Sequence, residues 1–274
     1  MFDPKATESR TIRLVVQYRG GKFAGWQVQP NARTVQGDIE RAITEMTGET
    51  LRVYGSSRTD AGVHALGLSA HFVTMSALPL YRFVHGLNAL LDDDVSVVSA
   101  QEAPAHFHAR YSALGKHYQY RIWNGVVRSA HEADRSWHVP APLDVDAMNA
   151  AGARLEGLHD FTSLVSRPQG DGDCRRRLNR VSACQPDPHT PVILIDVEGS
   201  SFLYKMVRTI AGTLVQVGKG KQQPDAIERI LAAKERKEAG PTAPPQGLFL
   251  VRVFYNEDTL TRPRMGAATE RSGA

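Results

Sequence analysis

The sequence lacks the long apolar segments that membrane and secreted proteins carry. Of its 274 residues 42% are hydrophobic, yet no apolar run approaches the roughly 18 consecutive residues that a membrane span needs. The start, MFDPKATESR, contains no apolar stretch of the kind found in secretory signals. We therefore expect a cytoplasmic protein that does not associate with membranes.

Cysteine is also scarce, and cofactor fingerprints are missing. The two cysteines, Cys174 and Cys184, show neither CxxC spacing nor a matching histidine pair, so neither a disulfide framework nor a zinc site is indicated. Residues 212–219 superficially resemble a phosphate-binding loop, but five residues separate the two glycines and no Ser or Thr follows the lysine. The sequence thus indicates no metal ion and no cofactor.

Basic residues are present in slight excess and are unevenly distributed. The formal net charge is +4, and four arginines fall within six residues at Arg175, Arg176, Arg177 and Arg180. A polyanionic partner such as a nucleic acid is one interpretation, because lysine and arginine neutralise phosphates. A solvated basic face is the other, and charge alone leaves both open.

Hydrophobic periodicity predicts alternating strands and helices in two successive blocks. In the first block, strands are predicted from Thr11 to the Gly20-Gly21 break and over 51–57, 68–76 and 95–103, and helices over 35–49 and 80–91. In the second block, strands are predicted over 116–123, 192–199 and 248–255, and helices over 145–155, 202–217 and 225–234.

Together the two blocks predict the α+β class, with two similar α/β subdomains whose sheets are largely antiparallel. We place these subdomains at residues 11–107 and 108–258. The small, polar ends of the chain, residues 1–10 and 259–274, are expected to be disordered.

A polar loop between two apolar strands, residues 55–65, is the strongest candidate for a functional site. Asp60 lies in this loop two residues after Arg58, whose guanidinium would favour an ionised carboxylate. A catalytic aspartate is one interpretation of this pattern. Turn formation by Asp60-Ala61-Gly62, or a surface ion pair with Arg58, would explain the same residues.

The string RTDAGVHA at 58–65 resembles the signature loop of the TruA family of pseudouridine synthases, in which the aspartate is catalytic. KHYQYRI at 116–122 resembles the K-x-Y-x-Y motif of that family and places Tyr118 at its active-site tyrosine. Further similar segments follow in the family's order: FAGWQ at 23–27, TVQG at 34–37, GLNALL at 86–91, HDF at 159–161, FLYKMVR at 202–208 and Gly247-Leu248. The likeness covers about residues 11–256, and departs where Gly55-Ser56-Ser57 replaces a triplet that is often Gly-Ala-Gly.

The resemblance implies a pseudouridine synthase fold with a basic active-site cleft and a cofactor-free isomerisation of uridine to pseudouridine in RNA. The N-glycosidic bond breaks, the uracil turns while held, and a carbon–carbon bond forms. Asp60 would attack the sugar, attack the uracil or remove a sugar proton, and all three remain open. Arg58 corresponds to the arginine that the family associates with flipping the base out of its stack.

Three further site residues follow from the resemblance. Tyr118 would stack on the extruded uracil, Arg208 would pair with Asp60, and Leu248 would pack against the target base. From the residues alone, Tyr118 and Leu248 are equally explained as core, whereas a lone charge on an apolar helix favours pairing of Arg208. His64 is assigned a structural role, because a histidine in a tight loop more often bonds to backbone.

The resemblance also implies a homodimer that binds the tRNA elbow and presents the anticodon stem-loop, with uridines at tRNA positions 38, 39 and 40 as substrates. Candidate phosphate contacts are Lys22, Arg82, Lys205, Arg175, Arg176, Arg177 and Arg180. The alternatives are a non-catalytic protein that binds or folds tRNA, and a synthase acting on other RNA positions. A carboxylate-based hydrolase is disfavoured because no motif places a second acidic residue.

Overall fold

The computed structural model describes residues 9–166 and 172–255, and this part of the chain contains ten β-strands and five α-helices. The strands are β1 (Arg10–Tyr18), β2 (Tyr54–Gly55), β3 (His64–Thr74), β4 (Val95–Ala103), β5 (Gly115–Trp123), β6 (Trp137–His138), β7 (Gly157–Asp160), β8 (Arg175–Cys184), β9 (Val192–Gly199) and β10 (Leu248–Phe254). The helices are α1 (Val35–Thr47), α2 (Leu80–Leu90), α3 (Val145–Ala153), α4 (Met206–Gly218) and α5 (Ala226–Ala233).

All ten strands join one sheet, in the order β4-β1-β3-β10-β5-β9-β8-β7, with β2 paired to β3 and β6 paired to β5. The pairs β3–β10 and β5–β6 are parallel, and the other pairs are antiparallel. The α+β class with a largely antiparallel sheet is therefore confirmed.

Strand β10 lies at the centre of this sheet although it is the last strand in sequence. It pairs with β3 from the first half of the chain and with β5 from the second. Because β3 follows the 55–65 loop and β5 contains Tyr118, this order brings the candidate site residues to the middle of the sheet. The division into subdomains at residue 107 stays a prediction.

Local signals determine the ends of two predicted helices. Helix α1 begins after Thr34, whose side chain accepts from the Gly37 amide, and ends at Gly48 in the left-handed region (φ 77). Helix α3 is capped by Asp144, whose carboxylate accepts from the Ala147 amide at 2.9 Å. Both helices are confirmed, although α3 ends two residues before the predicted Leu155.

Helix α4 begins at Met206, so the prediction of a helix from residue 202 was wrong at its start. Lys205 precedes the helix in the left-handed region (φ 59), and a residue in that conformation does not continue a right-handed helix. Phe202 and Leu203 consequently lie outside the helix and line the cleft described below.

The strand predicted over 51–57 is also wrong in length, because only Tyr54 and Gly55 pair with β3. The Val53 amide donates to the side chain of Glu40 at 2.9 Å, so it is satisfied without a neighbouring strand. Gly55 packs so closely on Trp26 that a Cβ atom would lie 2.4 Å from the indole. A side chain at this position would therefore clash with the ring.

Strands β7 and β8 were not predicted. In β8, Leu178 and Val181 are both buried although they are three residues apart, because the register shifts between Leu178 and Arg180. A bulge of this kind breaks the period-two alternation on which strand prediction depends. The four basic residues at 175–180 therefore belong to a strand near the sheet edge.

The expectations for the chain ends fall mostly outside the described residues, which exclude 1–8 and 256–274, while Arg10 begins β1. Both cysteines are free thiols, Cys174 buried and Cys184 exposed. Among the described helices, none has the length and apolar character to cross a membrane.

Candidate active site

The loop that carries Asp60 is fixed by backbone hydrogen bonds on both sides. The Ser56 amide donates to the Ser69 carbonyl at 2.8 Å, and the Trp26 amide donates to the Thr59 carbonyl at 3.2 Å. The Val63 amide donates to the Asp60 carbonyl at 3.2 Å and closes the turn. The position of the Asp60 carboxylate is therefore set by backbone geometry as well as by its own contacts.

Two glycines let a neighbouring segment approach this loop closely. Gly25 lies at φ +100, and a Cβ atom there would be 2.6 Å from the Thr59 carbonyl oxygen. At Gly20 a Cβ atom would be 2.1 Å from the Val63 carbonyl oxygen. Both distances are too short for any side chain, so residues 20–27 support the loop only because glycine is present at these two points.

Asp60 forms an ion pair with Arg208, as the sequence predicts. Arg208 Nη1 donates to Asp60 Oδ2 at 2.8 Å, and the two side chains are 12% and 21% exposed, respectively. Arg208 Nε donates to the Ala243 carbonyl at 2.8 Å, and the Ala243 amide returns a bond to the Arg208 carbonyl at 3.0 Å. The guanidinium is thus held from two directions and orients the carboxylate.

Tyr118 lies beside this pair on β5. Its hydroxyl donates to Ser57 Oγ at 3.2 Å, and its ring meets Phe202 edge-on with 5.0 Å between centroids. Burial, reinforced by the negative charge of Asp60, raises the pKa of Tyr118 to about 12. At neutral pH the phenol is therefore protonated and is a hydrogen-bond donor.

A cleft of about 560 Å³ brings the predicted site residues together. It is lined by Arg58, Asp60, Tyr118, Lys205, Arg208 and Leu248, of which Leu248 is 6% exposed. Arg58 is exposed at its mouth. Residues from the 55–65 loop, β5, α4 and β10 thus converge on one space.

The cleft is strongly electropositive. Asp60 is the only carboxylate among the described residues that line it, whereas five cationic side chains do so: Arg58, Arg110, Lys116, Lys205 and Arg208. Burial, with a smaller contribution from the charge of Arg110, lowers the pKa of Lys116 to about 8. Such a surface favours an anionic ligand.

The other predicted phosphate contacts do not line this cleft. Lys22 pairs with Asp94 at 2.8 Å, and the Arg82 guanidinium lies 5.6 Å from the Tyr81 ring on α2. On β8, Arg175 pairs with the Asp173 carboxylate at 3.0 Å, and Arg176 donates to the Asp173 carbonyl at 3.0 Å. Arg177 is exposed, and Arg180 donates to the Ser182 hydroxyl at 3.0 Å. Of the predicted set only Lys205 reaches the cleft.

The residues of the cleft that the sequence did not predict include four with contacts or charges that bear on the site: Ser57, Arg110, Lys116 and Phe202. Three of them lie inside strings that were recognised, namely the loop, the K-x-Y-x-Y segment and the segment before α4. Arg110 had no signal, because it reaches the cleft from the connection between β4 and β5.

His64 has the structural environment that the sequence predicts. Its Nδ1 accepts from the Gly20 amide at 3.2 Å, and its ring stacks on Phe249 with 4.6 Å between centroids. Burial lowers the pKa of His64, so the ring is neutral at pH 7. Elsewhere, residues 212–219 belong to α4 and its C-terminal cap rather than to a phosphate-binding loop.

Comparison with known proteins decides the family. A family model described as tRNA pseudouridine synthase matches residues 14–112 and 151–256. The chain belongs to the tRNA pseudouridine synthase family. The resemblance read from its motifs is thereby confirmed, as is the pseudouridine synthase fold class. Members of this family are isomerases, and the present chain is an enzyme of that class.

Individual relatives match across nearly their whole length. The tRNA pseudouridine synthase A of Geotalea uraniireducens is 46% identical over 246 residues, which are 90% of this chain and 100% of that protein. That of Acetivibrio thermocellus is 44% identical over 246 residues, with the same two coverages. Among solved structures, a Cbf5-Nop10-Gar1 complex matches with a TM-score of 0.30 and 12% identity, covering 74% of this chain and 54% of that one.

Proposed function

We propose that this synthase converts uridine to pseudouridine in the anticodon stem-loop of tRNA, at positions 38, 39 and 40, with Asp60 as its catalytic carboxylate. The observation that carries the proposal is that Asp60, which pairs with Arg208, is the one carboxylate among the described residues that line the cleft, beside four further cations. The two relatives named above are both called tRNA pseudouridine synthase A, which supports tRNA as the substrate.

The chemistry requires no added atoms or electrons. The bond between N1 of uracil and C1′ of ribose breaks, a bond from C5 to C1′ forms, and the proton lost from C5 is balanced by one gained at N1. A carboxylate serves this sequence as a nucleophile on the sugar or the ring, or as a base at the sugar. Asp60 would serve as this group, and the hydrogen bond from Arg208 would orient its carboxylate.

Binding of the uridine requires that it leave the base stack, because a stacked base does not reach a carboxylate inside a cleft. Arg58 is exposed at the mouth of the cleft and has no ion pair with the described residues, so its guanidinium is available to the RNA. Tyr118 offers a ring and Leu248 an apolar surface to the extruded uracil.

The same proposal includes a homodimer in the cytoplasm whose basic cleft binds the tRNA elbow and presents the anticodon stem-loop. Lys205 would contact phosphates at the cleft, and Lys22, Arg82, Arg175, Arg176 and Arg177 would contact them elsewhere. Such contacts make binding weaker as the salt concentration rises.

The test is pseudouridine mapping on an unmodified tRNA transcript incubated with the wild-type protein or with Asp60→Asn, without added cofactor. We expect pseudouridine in the anticodon stem-loop with wild type only, while thermal melting and tRNA affinity show that the variant is folded and binds. If wild type binds this tRNA and forms no pseudouridine, the catalytic proposal is wrong and a tRNA-binding or folding function replaces it. Product at other positions would refute the site specificity alone.

A further inference from the structure

A second cavity, of about 290 Å³, opens beside the catalytic cleft and shares Gln27, Arg58 and Arg110 with it. We call it the aromatic cavity, and its relevant side chains are Arg52, Tyr54, Arg58, His108, Arg110 and Tyr111. Because three residues line both spaces, the aromatic cavity adjoins the catalytic cleft.

The rings of the aromatic cavity are exposed in a way that core packing does not explain. Tyr111 is 76% exposed and Tyr54 is 44% exposed. The His108 ring lies between them, with centroid distances of 4.4 Å to Tyr111 and 5.5 Å to Tyr54. Three adjacent rings thus present flat faces and edges to solvent at one place.

Backbone hydrogen bonds hold this arrangement in place. His108 Nδ1 accepts from the amides of Arg110 at 3.1 Å and Tyr111 at 3.4 Å, which fixes the turn that carries Tyr111. Tyr54 lies in β2 opposite His71 of β3 and stacks on its ring at 5.2 Å. The rings of the aromatic cavity therefore hold their positions before any ligand binds.

Charge distinguishes the aromatic cavity from an ordinary apolar patch. The Arg52 guanidinium lies 5.9 Å from the Tyr54 ring, and that of Arg110 lies 5.6 Å from the Tyr111 ring. No Asp or Glu occurs among the described residues that line the cavity. Aromatic faces interleaved with arginines are the combination that binds single-stranded nucleic acid.

We propose that the aromatic cavity binds an unpaired nucleobase of the RNA, a neighbour of the uridine in the catalytic cleft, by stacking on Tyr111 and Tyr54. The three arginines would contact the phosphates between the two bases. This inference rests on the proposed function and deepens it. A volume of about 290 Å³ lies near the lower end of small-ligand pockets, about 300 Å³, and so suits one base rather than a duplex.

The experiment measures the affinity of a synthetic anticodon stem-loop RNA by fluorescence anisotropy. Tyr111→Ala should weaken binding by about 5- to 150-fold, the range for loss of one base–aromatic stack, and Tyr111→Phe should stay within about twofold of wild type. Tyr81→Ala is the matched control, since Tyr81 is 58% exposed, has an arginine at the same 5.6 Å and lines neither space. It should leave the affinity unchanged.

A double-mutant cycle identifies the base. Each loop position of the RNA is made abasic in turn, and wild type is compared with Tyr111→Ala. At one position the loss of affinity caused by the abasic site and the loss caused by Tyr111→Ala should not add, because both changes remove the same stacking contact. Additive losses at every position, or an equal loss for Tyr81→Ala, would overturn the proposal. So would a reduced sedimentation coefficient of Tyr111→Ala, which would show that a second copy of this chain covers Tyr111.

Failure of this site and failure of the proposed function give different results. Pseudouridine formed by wild type with additive losses would refute only the nucleobase site. Coupling between Tyr111 and one loop base without pseudouridine would refute only the catalytic function.

Discussion

Arg208 and Asp60 are 148 residues apart in the sequence, yet Nη1 of the first donates to Oδ2 of the second at 2.8 Å. Nε of the same guanidinium donates to the Ala243 carbonyl at 2.8 Å. One planar group therefore joins the Asp60 loop, helix α4 and the segment that leads to β10. Its geometry should matter as much as its charge.

Replacing Arg208 by lysine tests this statement. Lysine keeps the positive charge but does not reach both acceptors in one plane, so kcat/KM for pseudouridine formation should fall about 100-fold through misplacement of Asp60. Arg208→Met should lower kcat/KM further. It should also lower the free energy of unfolding by about 3 kcal/mol, because it leaves a partly buried carboxylate unpaired. Urea denaturation and steady-state kinetics measure the two effects.

Arg229→Lys provides the comparison for Arg208→Lys. Arg229 pairs with Glu238 at 2.7 Å, but its side chain is 60% exposed. An exposed pair contributes about 0 to 1 kcal/mol, so activity should be unchanged and stability nearly so. Equal losses for the two lysine variants would show that the Arg208 pair has no special role.

Lys116 should make RNA affinity depend on pH. With its pKa lowered to about 8 by burial in the cleft, it is mostly charged at pH 7 and mostly neutral at pH 9. RNA phosphate favours the protonated form, so binding is strongest below this pKa and weakens as the pH rises through it. We expect about a tenfold weaker affinity at pH 9, the size of one charged hydrogen bond.

The control for this prediction is Lys116→Arg, because a guanidinium stays charged throughout this range. Its affinity, measured by fluorescence anisotropy at a constant salt concentration, should be the same at pH 7 and pH 9. If wild type and Lys116→Arg lose affinity in parallel, another group titrates and the assignment to Lys116 is wrong.

Tyr118 should contribute to alkaline unfolding. Its pKa is raised from 10.0 to about 12 in the folded protein, so between these values the unfolded chain loses a proton that the folded chain retains. Stability from this group is complete below pH 10 and declines as the pH rises, by roughly 1.4 kcal/mol per pH unit. Urea denaturation at pH 8, 10 and 11 should show a shallower decline for Tyr118→Phe, and identical slopes would contradict the assignment.

Gly25→Ala should damage both stability and catalysis. A methyl group would lie 2.6 Å from the Thr59 carbonyl oxygen on a backbone with φ +100, and relief of this clash would require the Asp60 loop to move. We expect a loss of about 1 to 3 kcal/mol in the free energy of unfolding and reduced kcat. Gly21→Ala has no atom within 4 Å of the new methyl group and should be neutral by both measurements.

The sequence predicted elements whose signals are local. Helix α1 has an N-terminal cap at Thr34, a C-terminal stop at Gly48 and an apolar face between them. Residues within about fifteen positions therefore determine both of its ends. The start of α4 was missed because the left-handed conformation of Lys205 depends on tertiary contacts and has no glycine to mark it.

A residue of the candidate site was predictable where its position in the sequence required a partner. Arg208 on an apolar helix requires a counter-charge, and Asp60 supplies it. Lys116 and Arg110 were not predicted, because water hydrates the charge of a basic side chain at most positions and the sequence then indicates no partner for it. Only the folded sheet and the connection before β5 show that these two residues line the same cleft as Asp60.

The central position of β10 also determines when the enzyme becomes active during its synthesis. Asp60 leaves the ribosome early and Arg208 much later, and β10, which carries Leu248 and joins β3 to β5, is the last strand of the described residues to be translated. A nascent chain has its Asp60 loop long before it has the strand at the centre of the sheet. A premature stop between residues 209 and 247 should therefore yield an inactive product, although every charged residue that lines the cleft in the described part of the chain is already present.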